Sequence, residues 1–125
     1  MKKILIVLSV LFFAIACEKE RDFELSKTDV VGWWSVTKVT YEGKTTDLQA
    51  GDFVVILSND GEYIVNFLDD NYVGTYTIDG NTVVGITLDF IMEIFEFTSL
   101  SGYKAKINYK NSVGDSYKFE AVRVR

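Results

Sequence analysis

The chain has 125 residues, with 13 Lys and Arg against 18 Asp and Glu, a formal net charge of −5, a single cysteine, and neither histidine nor proline. That length holds one domain with a single core, and the acidic balance argues against nucleic acid as a partner, because a phosphate backbone calls for clustered positive charge. Without histidine, hydrolase triads built on an imidazole base and zinc sites of the usual Cys/His type are excluded.

The first predicted element is a targeting segment. Met1-Lys2-Lys3 is followed by the apolar run Ile4–Phe13 and by Ala14-Ile15-Ala16-Cys17, which is the basic start, apolar stretch and small-residue end of a secretory signal. Ile4–Ala16 is thirteen residues, whereas crossing a bilayer takes about twenty, so residues 1–16 are expected to be cleaved off. Ala14-Ile15-Ala16-Cys17 resembles the lipobox of bacterial lipoproteins, with Ala14 where that family usually has leucine. The resemblance implies that Cys17 is lipid-modified and becomes the first residue of the mature chain. It also implies an outer-membrane anchor of several acyl chains, as stable anchoring takes more than one. The bland alternative, an incidental cysteine behind an ordinary signal peptide, leaves a lone thiol without a disulfide partner.

Cleavage leaves 109 residues, eleven basic and eighteen acidic, with a net charge of −7. Glu18-Lys19-Glu20-Arg21-Asp22 then reads as a solvated tether, and it resembles the acidic tags of surface-displayed Gram-negative lipoproteins. Asp22–Asp29 is short and without a clear period, so residues 17–29 are taken as the lipidated tether and 30–125 as the folded domain.

Strands are predicted at Gly32–Tyr41, Phe53–Ser58, Glu62–Leu68, Tyr72–Ile78, Thr82–Leu88, Ile91–Thr98, Tyr103–Lys110 and Ser116–Val124, eight in all. Asn59-Asp60-Gly61 and Asp79-Gly80-Asn81 supply residues that tolerate positive φ, as short hairpins require. Asp69-Asp70-Asn71 and Ser101-Gly102 serve similarly, and Asn111–Asp115 is a longer polar connection. The one long connection is Glu42–Asp52, eleven residues. Tyr103, Ala105, Ile107 and Tyr109 share one strand face and three lysines the other; Tyr63-Val65-Phe67 and Tyr72-Gly74-Tyr76-Ile78 give further inward rows. Ile91–Phe97 reads as a strand with one glutamate on each face, β-branched and aromatic content favouring it over a helix. Eight strands in a meander close into an up-and-down antiparallel barrel, which removes the edges of an open sheet.

Gly32-Trp33-Trp34 at the start of the first strand resembles the opening of a lipocalin-like (calycin-type) domain, and Gly74–Thr82 is similar to the mid-barrel hairpin of small bacterial lipocalin-like lipoproteins. The likeness spans Val30–Val124. It implies a lid at Glu42–Asp52 over the barrel mouth, and Arg123 packed over Trp34 from late in the barrel, the alternative for Arg123 being a solvated outward side chain between Val122 and Val124. The chain is shorter than full-length lipocalins and lacks their later helix, which argues against a large cavity, and its short strands and bulky inward residues point to a mostly filled barrel with at most a shallow pocket.

By strict alternation from Trp34 and Val36, Lys38 points inward, and Glu93 shares a face with Ile91, Phe95 and Phe97. Charges in an apolar interior are costly unless paired. Lys38 and Glu93 are therefore candidates to meet a ligand's polar head near the mouth, the bland reading being that a bulge or strand end turns each to solvent. Trp34, Tyr63, Phe67, Tyr72, Tyr76 and Tyr103 complete the candidate binding residues, and Tyr109 belongs to the same aromatic rows. Val54, Ile56, Ile64, Val84, Ile86 and Leu88 fall outward, too much apolar surface for a solvated wall, so either a register slip or a covered wall is implied, with the slip the blander reading. The hairpin carboxylates fall short of a calcium cage, and no residue set points to catalysis, a metal or a cofactor. The expectation is a non-catalytic envelope lipoprotein that binds a small, partly apolar ligand at the barrel mouth. The alternative is a filled barrel whose outer wall binds an envelope protein.

Overall fold

One helical turn, α1 (Lys27–Val30), precedes nine strands in the computed structural model, which describes residues 24–125. The signal segment 1–16, the lipidation at Cys17 and the charged run Glu18–Asp22 lie outside the described residues. The strands are β1 (Gly32–Tyr41), β2 (Lys44–Asp47), β3 (Phe53–Leu57), β4 (Glu62–Phe67), β5 (Asp70–Asp79), β6 (Thr82–Thr87), β7 (Met92–Ser101), β8 (Lys104–Asn111) and β9 (Ser116–Arg123). No helix among the described residues is long and apolar enough to cross a membrane.

β1 pairs antiparallel with β3, each strand from β3 to β8 pairs antiparallel with the next, and β9 returns to pair with β1. The result is a closed eight-stranded antiparallel barrel with β2 as an extra strand. Short turns force this order, since a two-residue connection joins only antiparallel neighbours. The expected strand at Ile91–Thr98 is present as β7, which begins at Met92, with Glu93 buried and Glu96 exposed on opposite faces.

Four features differ from the expectations drawn from sequence. Glu42–Asp52 is not a lid: Glu42 and Gly43 both adopt positive φ, 52° and 81°, and turn the chain back so that β2 pairs with the end of β1. A glutamate in that conformation carries no turn signal, which hid the strand. The expected turn at Asp69–Asn71 sits instead at Leu68-Asp69, between the paired residues Phe67 and Asp70. A β-bulge shifts the β1–β9 register between Val36 and Lys38, so alternation breaks there. Val39 packs on the core, while Lys38 points outward and donates to Asp47 at 2.8 Å. Finally, the domain begins before Val30: Leu25 and Val30 are buried in the core, and the Leu25 amide donates to the Gly80 carbonyl at 2.9 Å.

This N-terminal segment closes one end of the barrel. Ser26 starts α1 with its amide bonded to the Asp29 carboxylate at 2.8 Å. At the turn's end the Val30 carbonyl accepts from Trp34 Nε1 at 2.8 Å. Arg123 lies over the Trp34 ring, 5.3 Å from its centroid, and its Nη1 donates to the carbonyls of Thr28, Asp29 and Val31. Beneath this plug Trp34, Leu57, Val83 and Phe97 leave a void of only about 20 Å³ with apolar walls. That is room for about one water and no polar partner for it, so this half of the barrel is filled.

The outward apolar residues do not reflect a register slip. Ile56 pairs with Ile64, Ile64 with Val73, Val84 with Ile94 and Ile86 with Met92, all on the outer face. Val54, Ile56, Ile64 and Val84 are half-buried, whereas Ile86 and Leu88 are exposed.

Candidate binding site at the open end of the barrel

The other end of the barrel is not filled. Here β1, β4, β6 and β8 finish and β3, β5, β7 and β9 begin, and a cavity of about 350 Å³ opens between them. The volume lies at the small end of the range for ligand pockets, about 300–1,000 Å³. This corrects the expectation of a filled interior with a shallow pocket. None of residues 42–52 lines the cavity, because the chain there is spent as sheet beside β1.

The floor is built around Glu93. Its side chain is only 7 % exposed, and its two carboxylate oxygens accept from Tyr63 Oη and Tyr109 Oη, each at 2.6 Å. The trio comes from three strands, β4, β7 and β8, whose inward residues meet across the barrel. Room for Tyr63 is made by Gly85, the β6 residue directly opposite Glu93. A Cβ at Gly85 would stand 2.5 Å from the Tyr63 ring, closer than any side chain tolerates. The absence of a side chain on β6 therefore lets a phenol from β4 reach a carboxylate on β7. No buried side-chain polar atom is left without a partner among the described residues.

Aromatic rings make the walls. Phe53 meets Phe67 with centroids 4.9 Å apart and Phe119 at 5.0 Å, and Tyr109, Tyr117 and Phe119 lie stacked with centroids 5.2 to 6.1 Å apart. Asp70, Thr87, Asn111 and Asp115 line the upper part, and Asn111 Nδ2 bridges Tyr109 Oη at 3.0 Å and the Asp115 carboxylate at 3.2 Å.

Of the residues expected from sequence, Phe67, Tyr72 and Glu93 line this cavity, and Tyr63 supports Glu93 from behind. Trp34 belongs to the filled end, and Tyr76 is there too, donating to the Ser58 carbonyl at 2.6 Å. Tyr103 sits exposed in the β7–β8 turn, and Lys38 faces outward. Phe53, Asp70, Asn111, Asp115 and Tyr117 were not singled out as site residues. They converge only because strand ends far apart in sequence meet at one rim, and no local pattern carries that.

The two phenols at Glu93 resist ionisation. Burial first, then the bond to Glu93, pushes Tyr63 and Tyr109 well above the ordinary phenol range, and burial also raises Tyr76 and Tyr117. The folded state thus keeps protons that the unfolded chain releases. This contribution to stability is present in full below the ordinary phenol pKa of about 10 and is lost as pH rises from there. The urea midpoint is expected to hold from neutrality to about pH 9 and fall above about pH 10. A Tyr63→Phe/Tyr109→Phe variant should fall less steeply, as followed by circular dichroism.

Among solved structures, a crystal structure of an uncharacterized protein from Bacteroides eggerthii DSM 20697 is similar, with 13% sequence identity and a TM-score of 0.59 over 76% of this chain and 99% of that chain. At that identity the likeness shows the fold alone, a closed antiparallel barrel. No family model and no curated protein matches the chain.

Proposed function

We propose that this protein is a lipocalin-like lipoprotein, held at the outer membrane by lipid on Cys17, whose barrel binds a small, partly apolar molecule without chemically changing it. The observation that supports the binding role is the open-end cavity, with aromatic walls and a floor of one buried carboxylate held by two phenols. Apolar pockets with a few convergent polar groups are the usual form of a small-molecule site. Without histidine the chain has no imidazole base to activate a serine, and the one cysteine is assigned to lipidation. Native mass spectrometry of the protein taken from its own membrane tests this: a small molecule retained alongside the lipid on Cys17, and lost when Thr87→Trp blocks the cavity, is the expected result. An empty wild-type cavity in every preparation would overturn it.

A second reading is favoured by the rim. Leu68 and Phe90 are 67 % and 87 % exposed and both hold positive φ, 54° and 66°, where a bulky residue costs about 1–2 kcal/mol relative to glycine. With Val73, Ile86, Leu88 and Met92 they form an exposed apolar patch on the β4–β7 side of the mouth. Apolar surface kept at a cost in stability suits an envelope protein partner. A photo-crosslinker placed at Phe90 in whole cells should capture one discrete protein, lost on Leu88→Asp, if this reading holds.

A further inference from the structure

The cavity carries a definite charge pattern. Three carboxylates line it, Asp70, Glu93 and Asp115, and no lysine or arginine does. None of the three has an ion-pair partner among the described residues, where the one salt bridge is Lys38–Asp47 on the outer wall. Glu93 is the buried member, and its two phenol donors occupy only half of the roughly four lone-pair positions that a carboxylate offers. The carboxylates are also spread along the cavity, and no three acidic groups among the described residues converge to hold a metal ion. The spaces between them are faced by rings: Phe53, Phe67, Tyr72, Tyr109, Tyr117 and Phe119.

Aromatic faces attract cations through their quadrupoles, most strongly where water is excluded. A fatty acid or other anionic head would meet three like charges and no counter-ion at close range, a repulsion that the low dielectric of a cavity strengthens. From this pattern we infer that the cavity selects a small organic monocation, a primary amine or quaternary ammonium on an apolar body, with Glu93 as its counter-ion and the aromatic rings as its cage. The inference rests on the reading that the cavity binds a ligand and narrows it to one charge class. The ammonium lies towards Glu93, and the apolar body lies along the Phe53, Phe67 and Phe119 cluster. Asp70 and Asp115 near the rim add a field that draws cations in.

Three probes of one skeleton test it on the purified full-length protein by titration calorimetry: 2-phenylethylamine as the cation, 2-phenylethanol as the neutral form and 3-phenylpropionate as the anion. The ammonium should bind at least about tenfold tighter than the alcohol, with no measurable heat from the carboxylate. Glu93→Gln should erase the preference for the cation over the alcohol. The wild-type comparison decides the matter even if that variant does not fold, and Asp115→Asn, an exposed change at the rim, should lower only the cation's affinity, about two- to threefold. Binding of the alcohol or the carboxylate as tight as the amine overturns the charge rule while leaving the cavity a ligand site. Silence of all three probes overturns the inference, and a neutral or anionic molecule retained in the native mass spectrum would then show the broader reading surviving without it.

Discussion

Trp34→Ala is expected to cost the domain about 3–5 kcal/mol, the usual range for deleting a large buried aromatic side chain. Trp34 is 2 % exposed, sets its ring edge-on to Phe97 at 5.8 Å, and ties the barrel to α1 through Val30. Its loss opens the filled end and frees the plug together, and total stability of a domain this size is about 5–15 kcal/mol, so the variant should be close to unfolding at ambient temperature. Urea titration followed by far-ultraviolet circular dichroism measures it without relying on the lost indole. Arg123→Ala in the same titration should cost about 1–2 kcal/mol, since the cation–π contact contributes about 0.5–2 and three carbonyls lose a shared donor. An unchanged midpoint for Arg123→Ala would show that contact to be idle.

The second large effect concerns the carboxylate at the cavity floor. Glu93→Leu leaves the hydroxyls of Tyr63 and Tyr109 buried without their acceptor, at about 1–3 kcal/mol each, so a total loss of about 2–6 kcal/mol is expected. Removing the phenol oxygens as well should restore most of it, because replacing every partner of a buried polar network by apolar groups of similar shape is close to neutral. The triple variant Tyr63→Phe/Glu93→Leu/Tyr109→Phe is therefore expected to unfold near the wild-type midpoint in urea. A triple variant as unstable as Glu93→Leu alone would make the trio a structural strut. Recovery would mean that stability does not require the carboxylate, as expected of a group kept for binding.

The bulge in β1 shows why part of this site was not legible. Lys38 and Glu93 looked alike in sequence, each a charge in phase with apolar inward neighbours. Glu93 stays inward because β7 keeps its alternation through Phe97, and its register shift falls beyond, between Phe97 and Ser99. Lys38 turns outward because β1 must pair with β3 at its start, with β2 at its end and with β9 along most of its length. One inserted residue reconciles those registers. That requirement exists only once the barrel closes.

Period-two alternation and turn chemistry are local properties. Through them the sequence by itself determined the eight barrel strands, their antiparallel order, closure, and the inward rows through Tyr63, Tyr76, Ile107 and Tyr109. The contact of Arg123 with Trp34 was implied only by the lipocalin-like resemblance, beside the alternative of an outward, solvated arginine, and the structure shows the contact. Only the tertiary structure decided which half of the barrel is filled. Leu25, Val30 and Trp34 fill one end, whereas at the other Gly85 yields its space to a phenol from β4 and the strand ends surround a cavity. Volume left over between side chains is a sum over strands distant in sequence, and alternation along any one of them records direction and not the distance to the opposite wall.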